Sequence, residues 1–338
     1  MLEDDNVTFE ELTAEMKERS RKILERFGKV SVSGVNHPKL LSILADVKDY
    51  WKDYFRPALA SLSCQAVGGH PGAADDVSLM ITLMGAGLGI HDDIIDKSLN
   101  KHFRMTILGL HGIDDALLVG ELLVVKSLTM VREIVRKVCN PKKIEHIIDV
   151  YESFFLEVWE GEFMETLCRR KLDTKLEDYK RILWMSTADT EACTKLGAIL
   201  GGGTKIEVEA LAEVGRRLGF IFRLADDVKD SLNIEGNLPA RLENESVPLP
   251  ILYAAKSSKE IYFKIKSVLA QSTISPADVR MLLELCFETD AFNYVVNIAK
   301  QNALEATCKL SILKSNRFKD TLELMVNKAF AYITSFCY

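Results

Sequence analysis

Apolar positions recur every three or four residues along most of the chain. In Lys39–Val47, the residues Leu40, Leu41, Ile43, Leu44 and Val47 fall on that period, as in an amphipathic helix. The same period runs through Ala116–Val138, Ile144–Phe163, Leu211–Val228, Leu249–Leu269 and Phe318–Phe336. Strand signals are weak, because no alternation is sustained between hairpin dipeptides such as Asn-Gly. Glycine and proline interrupt the period at 68–72, 139–141, 201–203, 236–239 and 275–276, each suited to a helix end or loop. Ser275 before Pro276 sets a capping oxygen ahead of proline in the first helical position. The pattern predicts about ten helices and an all-α fold. It predicts one domain over 1–338, since no linker is long or polar enough to divide the chain. Helices this long in one domain imply a large bundle around a central cavity or deep core.

Composition narrows the classes. Apolar residues are 48% and charged residues 27%, which suits a folded globular chain. The formal charge is −6, the wrong sign for a nucleic-acid binder. The longest apolar run, Leu79–Ile90, meets His91-Asp92-Asp93 before reaching the roughly 18 to 20 residues that span a bilayer. The acidic start Met1-Leu2-Glu3-Asp4-Asp5 resembles no secretion signal. No stable membrane insertion and a cytoplasmic location are therefore expected. Seven cysteines with no CxxC make neither a disulfide framework nor a zinc site, and are expected as reduced, mostly buried thiols.

Two segments break the hydrophobic logic. Gly87-Leu88-Gly89-Ile90-His91-Asp92-Asp93-Ile94-Ile95-Asp96 follows a run dense in glycine and alanine. On a helix, Asp92 and Asp96 share one face, a turn apart, with Asp93 beside them. Phe220–Asp230 repeats the spacing with Asp226, Asp227 and Asp230. Clustered carboxylates cost stability unless a cation neutralises them. Hard oxygen ligands of this type suit Mg²⁺, which shares its remaining positions with water and substrate phosphates. Two such walls facing one another would hold several Mg²⁺ around a diphosphate. Charge building on the departing diphosphate would then be neutralised, so a carbon–oxygen bond ionises without a protein nucleophile. Asp92, Asp96 and Asp226 are the expected catalytic residues, and all six aspartates the expected metal set.

The two motifs and their order resemble the trans-isoprenyl diphosphate synthases, the polyprenyl synthetases. Leu196–Gly202 is similar to the family's GA-x-x-x-G segment, Phe222–Asp227 to FQ-x-x-DD and Leu117–Leu123 to L-x-GD-x-L, while Pro248-Leu249-Pro250 stands at its TLP. The resemblance covers roughly 50 to 300. It implies the all-α isoprenoid-synthase bundle around an apolar cavity, about three Mg²⁺ bound with substrate, and a homodimer or a heteromer with another synthase. In the family the residues four and five before the first Asp line the floor. Here these are Leu88 and Gly87, with no bulky side chain at Gly87. An allylic prenyl diphosphate of roughly C15 to C20 or longer is expected to fit.

Departures from the family pattern bear on the co-substrate. The GGKR-x-RP segment aligns with Lys52–Pro57: Arg56 is kept, but Asp53 and Tyr54 replace Lys and Arg. The Arg-Arg pair before Gly reads Lys101-His102 before Phe103, Met185-Ser186 replaces Lys-Thr, and Ser246 replaces the Lys of K-x-TLP. Arg223 is a gained cation in place of the Gln of FQ. Arg56, Lys101, His102 and Arg223, with Gly87 and Leu88, are thus the expected substrate-binding residues. Because Asp53 turns attraction into repulsion, the isopentenyl diphosphate site reads as degraded. The reading placed first is Mg²⁺-dependent ionisation of an allylic diphosphate, followed by transfer to another acceptor or by cyclisation. The alternatives are a chain-elongating synthase using isopentenyl diphosphate and a non-catalytic subunit of a heteromeric synthase. Lys229 is expected on the surface, His91 in packing or hydrogen bonding, and Trp51, Trp159 and Trp184 in the core, with Trp159 and Phe163 as the alternative lining of a cation-stabilising cavity. Glu162 and Glu165 face either a cavity or solvent.

Overall fold

The computed structural model describes residues 9–101 and 103–337. They form sixteen α-helices and one two-stranded hairpin, with most of the chain helical. The first six helices are α1 (Phe9–Val32), α2 (Pro38–Tyr50), α3 (Phe55–Ala66), α4 (Asp75–Ile95), α5 (Ile107–His111) and α6 (Ile113–Lys137). Next come α7 (Pro141–Leu167), α8 (Leu176–Met185), α9 (Ala188–Gly201), α10 (Lys205–Ser231) and α11 (Leu238–Asn244). The last five are α12 (Leu249–Ser257), α13 (Lys259–Leu269), α14 (Pro276–Glu288), α15 (Ala291–Leu310) and α16 (Arg317–Thr334). The hairpin pairs β1 (Asn100–Lys101) antiparallel with β2 (Arg104–Met105).

Local chemistry explains the helix ends. Asp75 and Asp76 open α4, where carboxylates favour the positive end of the helix dipole. Ser275 and Asp278 form a reciprocal capping box at α14. The helical period over 249–269 hides a break. Ser258 is extended, with φ −154° and ψ 158°, and its hydroxyl accepts the Ile261 N–H, so one expected helix is two. Such breaks, with short helices like α5 and α11, raise the count above the expected ten.

The chain packs as two compact units. The first comprises Met1–Glu152, Asp189–Gly215 and Lys309–Lys328, the second Ser153–Ala188, Arg216–Cys308 and Ala329–Tyr338. Each is assembled from three separate stretches, so neither is a contiguous segment of sequence. In the first unit, Leu59, Leu62, Leu79, Met80 and Leu83 are fully buried. There α9 lies directly on α3. A Cβ at Gly197 would stand 2.3 Å from the Ala60 carbonyl oxygen, and one at Gly201 would stand 2.5 Å from that of Cys64. That crossing is the physical content of the glycine-spaced 196–202 segment.

In the second unit, Tyr179, Ile221, Leu224, Val228, Leu249 and Leu282 are buried, and Tyr253 stacks on Tyr294 at 4.2 Å. The stretch Pro71–Ile95 is long and apolar enough by composition to cross a membrane, and its apolar window is 67% buried within the protein. This corrects the shorter run read from sequence, and the burial is that of a core helix. All seven cysteines are free thiols. Cys64, Cys193 and Cys286 are buried, whereas Cys139 and Cys308 are exposed.

Candidate active site

The C-terminal turns of α4 carry the first acidic motif. A helix C-terminus is the negative end of the dipole, so three aspartates there need a cation. Lys101 on β1 supplies it: its Nζ lies 2.7 Å from Asp92 Oδ2 and 2.9 Å from Asp93 Oδ1. Burial opposes the lysine's charge, but Asp92 and then Asp93 outweigh it and hold its pKa well above the usual value. Asp93 is buried, while Asp92 keeps 40% of its side-chain surface. Asp96 caps α4 and is half-buried. His91 is buried with Nε2 3.4 Å from the Leu117 carbonyl oxygen, which is the hydrogen-bonding role expected.

The hairpin after the motif holds a second cation. Register sets Lys101 opposite Arg104, and the Arg104 guanidinium lies 4.1 Å from the Tyr50 ring centroid. Burial raises the Tyr50 pKa, with Asp93 adding to it and Lys101 and Arg104 opposing. Tyr50 therefore sits in the field of the motif. Between these cations, Phe103 stands at φ 60° with its side chain exposed, a left-handed conformation where the family has glycine. His102 lies outside the described residues.

Arg56 is committed within the protein. Its Nε donates to Asp189 Oδ2 at 2.6 Å and its Nη1 to Asp53 Oδ2 at 3.1 Å. Burial opposes its charge, but Asp189 and Asp53 overcome this and keep its pKa above the usual value. Asp53 also accepts the N–H groups of Phe55 and Arg56, both at 3.1 Å, in the manner of a helix cap. The expected repulsion at Asp53 is thus spent inside the protein. Trp51 fills the next space. A Cβ on Gly89 would lie 2.8 Å from its ring and one on Gly85 3.4 Å, so the indole covers the α4 face one turn before Asp92.

The second motif ends α10. Asp226 keeps 49% of its side-chain surface and accepts from Lys229 Nζ at 3.1 Å. Lys229 is only 16% exposed, which corrects its expected place on the surface: the i, i+3 spacing brings it onto Asp226. Asp227 is buried. Its Oδ1 accepts from Arg241 Nη2 at 2.7 Å and from the Tyr179 hydroxyl at 3.2 Å, and its Oδ2 accepts from the Leu249 N–H at 2.9 Å. Arg241 also pairs with Asp230. Burial raises the Asp227 pKa against the pull of Arg241. Arg223 stands 4.0 Å from Glu165, whose Oε1 accepts from the buried Ser246 hydroxyl at 2.6 Å. Glu165 thus belongs to a polar network within the unit.

Gly87 faces α6. A Cβ there would stand 2.7 Å from the Gly120 carbonyl oxygen and 2.8 Å from Val124 Cγ2, so it marks the closest approach of α4 to α6. The partly exposed stripe of α4 runs through Gly85, Leu88, Gly89 and Asp92; it includes Leu88 and leaves out Gly87. Sequence reasoning passed over Tyr50, Asp189, Tyr179 and Arg241. Each acts on a motif residue or on Arg56 from a different helix, and no local spacing announces them.

Metal-binding chemistry fits the accessible carboxylates. Asp92, Asp96 and Asp226 present hard oxygens at two helix ends, whereas Asp227 has both oxygens engaged. Among the described residues no three acidic, histidine or cysteine side chains converge as a ready-made ligand set. Mg²⁺ that takes its other positions from water and phosphate needs none.

Residues 50–286 match the family model for polyprenyl synthetases, and the chain belongs to that family. The short chain isoprenyl diphosphate synthase of Methanothermobacter thermautotrophicus is 33% identical over 184 residues, 54% of this chain and 55% of that one. The geranylgeranyl diphosphate synthase of Methanosarcina mazei is 29% identical over 267 residues, 77% and 79% of the two chains. The fold matches the crystal structure of geranylgeranyl pyrophosphate synthetase from Pyrococcus horikoshii with TM-score 0.84 and 24% identity, covering 95% of this chain and 98% of that one. The all-α isoprenoid-synthase fold is thereby established. The relatives favour chain elongation over cyclisation or transfer to another acceptor, the reading that sequence alone placed first.

Proposed function

We propose that this chain is a prenyltransferase that elongates an allylic prenyl diphosphate with isopentenyl diphosphate. The observation that carries it is the pair of acidic helix ends, each with one accessible carboxylate face and its own counter-cation, in a member of this family. In the reaction the allylic C1–O bond breaks and diphosphate leaves with the electron pair. C4 of isopentenyl diphosphate then bonds to C1, and a proton leaves C2. Asp92, Asp96 and Asp226 would hold Mg²⁺, which when bound neutralises the diphosphate's charge and draws off the leaving group. Lys101 offers a further cation once Asp92 turns to a metal, since its ammonium is shared between two carboxylates and can donate to a phosphate oxygen.

Leu88, on the accessible stripe, borders the prenyl tail, and we place the tail at fifteen carbons or more. The partner is a second copy of this chain. On α6, Leu117, Leu118, Val125 and Leu128 are all exposed, an apolar stripe that a dimer would cover. Substitution tests the site directly. Asp92→Ala and Asp226→Ala are expected to lower turnover by at least about a hundredfold with unchanged circular dichroism. Turnover within threefold of wild type in either variant would remove the acidic motifs from the chemistry.

A further inference from the structure

Asp227 and Asp230 are three residues apart on α10, so they are neighbours on one helix face and repel one another. Arg241 reaches them from α11. Its Nη1 pairs with Asp230 Oδ2, and its Nη2 donates to Asp227 Oδ1 at 2.7 Å and to the Tyr179 hydroxyl at 3.2 Å. Its Nε lies 3.6 Å from Glu245 Oε2. The Leu249 N–H holds the other oxygen of Asp227 at 2.9 Å. One planar guanidinium thus bridges both aspartates with its two ends, which a lysine ammonium would do as a single point of charge.

The lysines of the two motifs are held differently. Lys101 and Lys229 touch Asp92 and Asp226, whose side chains are half-exposed, and solvated pairs of this kind are weak enough to yield to a metal ion. Arg241 is 11% exposed and Asp227 2%. Giving Asp230 to a metal would leave a buried guanidinium short of the charge that balances it, which is costly. Resting on the metal-and-diphosphate reading above, we infer that Arg241 stands in for a divalent cation at the second motif: the chain itself neutralises Asp227 and Asp230, and Asp226 alone offers that motif's metal-binding oxygen. Arg241 is a positioning residue, acting through the carboxylates it withholds. The second motif is then balanced at Mg²⁺ levels too low to load it, and the loaded site holds one ion fewer than it would with Asp230 released.

Mn²⁺ takes the same oxygen ligands as Mg²⁺ and is counted by electron paramagnetic resonance, with inorganic diphosphate present and no prenyl substrate. Arg241→Gln is expected to bind one more Mn²⁺ per chain than wild type, and adding Asp230→Asn should remove the gained ion. Asp230→Asn alone should leave the count unchanged and the affinity within about threefold of wild type. A merely structural arginine would give the opposite sign, because loosening the helix end weakens metal binding. Arg241→Gln should also lower the thermal midpoint in EDTA and regain most of it with Mn²⁺ and diphosphate. If that variant does not fold, Asp227→Asn with Arg241→Gln serves, since it removes the buried carboxylate together with its partner and still releases Asp230. An unchanged or lower count in the arginine variant, or a loss of Mn²⁺ affinity of about tenfold in Asp230→Asn, would overturn the inference. Wild-type protein that binds Mn²⁺ with diphosphate but lengthens no allylic primer would remove the elongation reading, while the metal counts still decide this one.

Discussion

Asp226 and Asp227 are chain neighbours in opposite surroundings. Asp226 is half-exposed against Lys229, whereas Asp227 is buried with both oxygens engaged. Removing one member of a buried ion pair leaves its partner's charge uncompensated, at a cost of about 3 to 5 kcal/mol. Asp227→Asn should lower the thermal midpoint: Arg241 keeps Asp230 but loses the buried carboxylate that also accepts from Tyr179 and the Leu249 N–H. Asp226→Asn should leave the midpoint nearly unchanged and remove activity. Calorimetry and turnover measured on the same two variants check the division. A midpoint for Asp227→Asn equal to that of wild type would contradict it. Sequence spacing found both aspartates but could not rank them. Adjacent helical residues point about 100° apart, and which direction is buried depends on α11, a helix that the motif does not mention. The same limit applies at Arg56. Its identity was legible, but its capture by Asp189, far along the chain, was not.

At the scale of elements, α4 has two faces with different duties. One carries Gly85, Leu88, Gly89 and Asp92; the other packs Gly87 against α6. A side chain at Gly87 would meet backbone oxygen at 2.7 Å, and overpacking of this kind costs about 1 to 3 kcal/mol or more. Gly87→Phe should therefore yield unfolded or aggregated protein rather than shorter products. Leu88→Phe should fold normally and shorten the longest product by one or two prenyl units, as read by chromatography of dephosphorylated products. An unchanged product profile in the Leu88 variant would place the depth determinant elsewhere. The periodicity made α2, α6, α7, α10 and α16 legible because amphipathic stripes are a property of the sequence itself. It missed the hairpin, whose two-residue strands are too short to show alternation, and the Ser258 break, where apolar spacing continues through a change of direction.

For the whole molecule, family membership and fold agree with the pattern of long helices, and the charge pattern supplies the rest. Each acidic motif carries resident cations, Lys101 on the first and Lys229 and Arg241 on the second. The exposed stripe on α6 predicts self-association. Leu118→Glu should shift the sedimentation of a dimer to that of a monomer, and a wild-type protein that sediments as a monomer at micromolar concentration would remove the dimer. The departures at Asp53 and Tyr54 read in sequence as a lost co-substrate site. In the structure Asp53 accepts the first N–H groups of α3 and pairs with Arg56. The most direct measurement is incubation of the purified chain with farnesyl diphosphate, labelled isopentenyl diphosphate and Mg²⁺, followed by identification of the products. Label in a longer allylic diphosphate, abolished by EDTA, is the predicted result. Farnesyl diphosphate consumed into unlabelled cyclic or acceptor-linked products, with no label incorporated, would contradict the account.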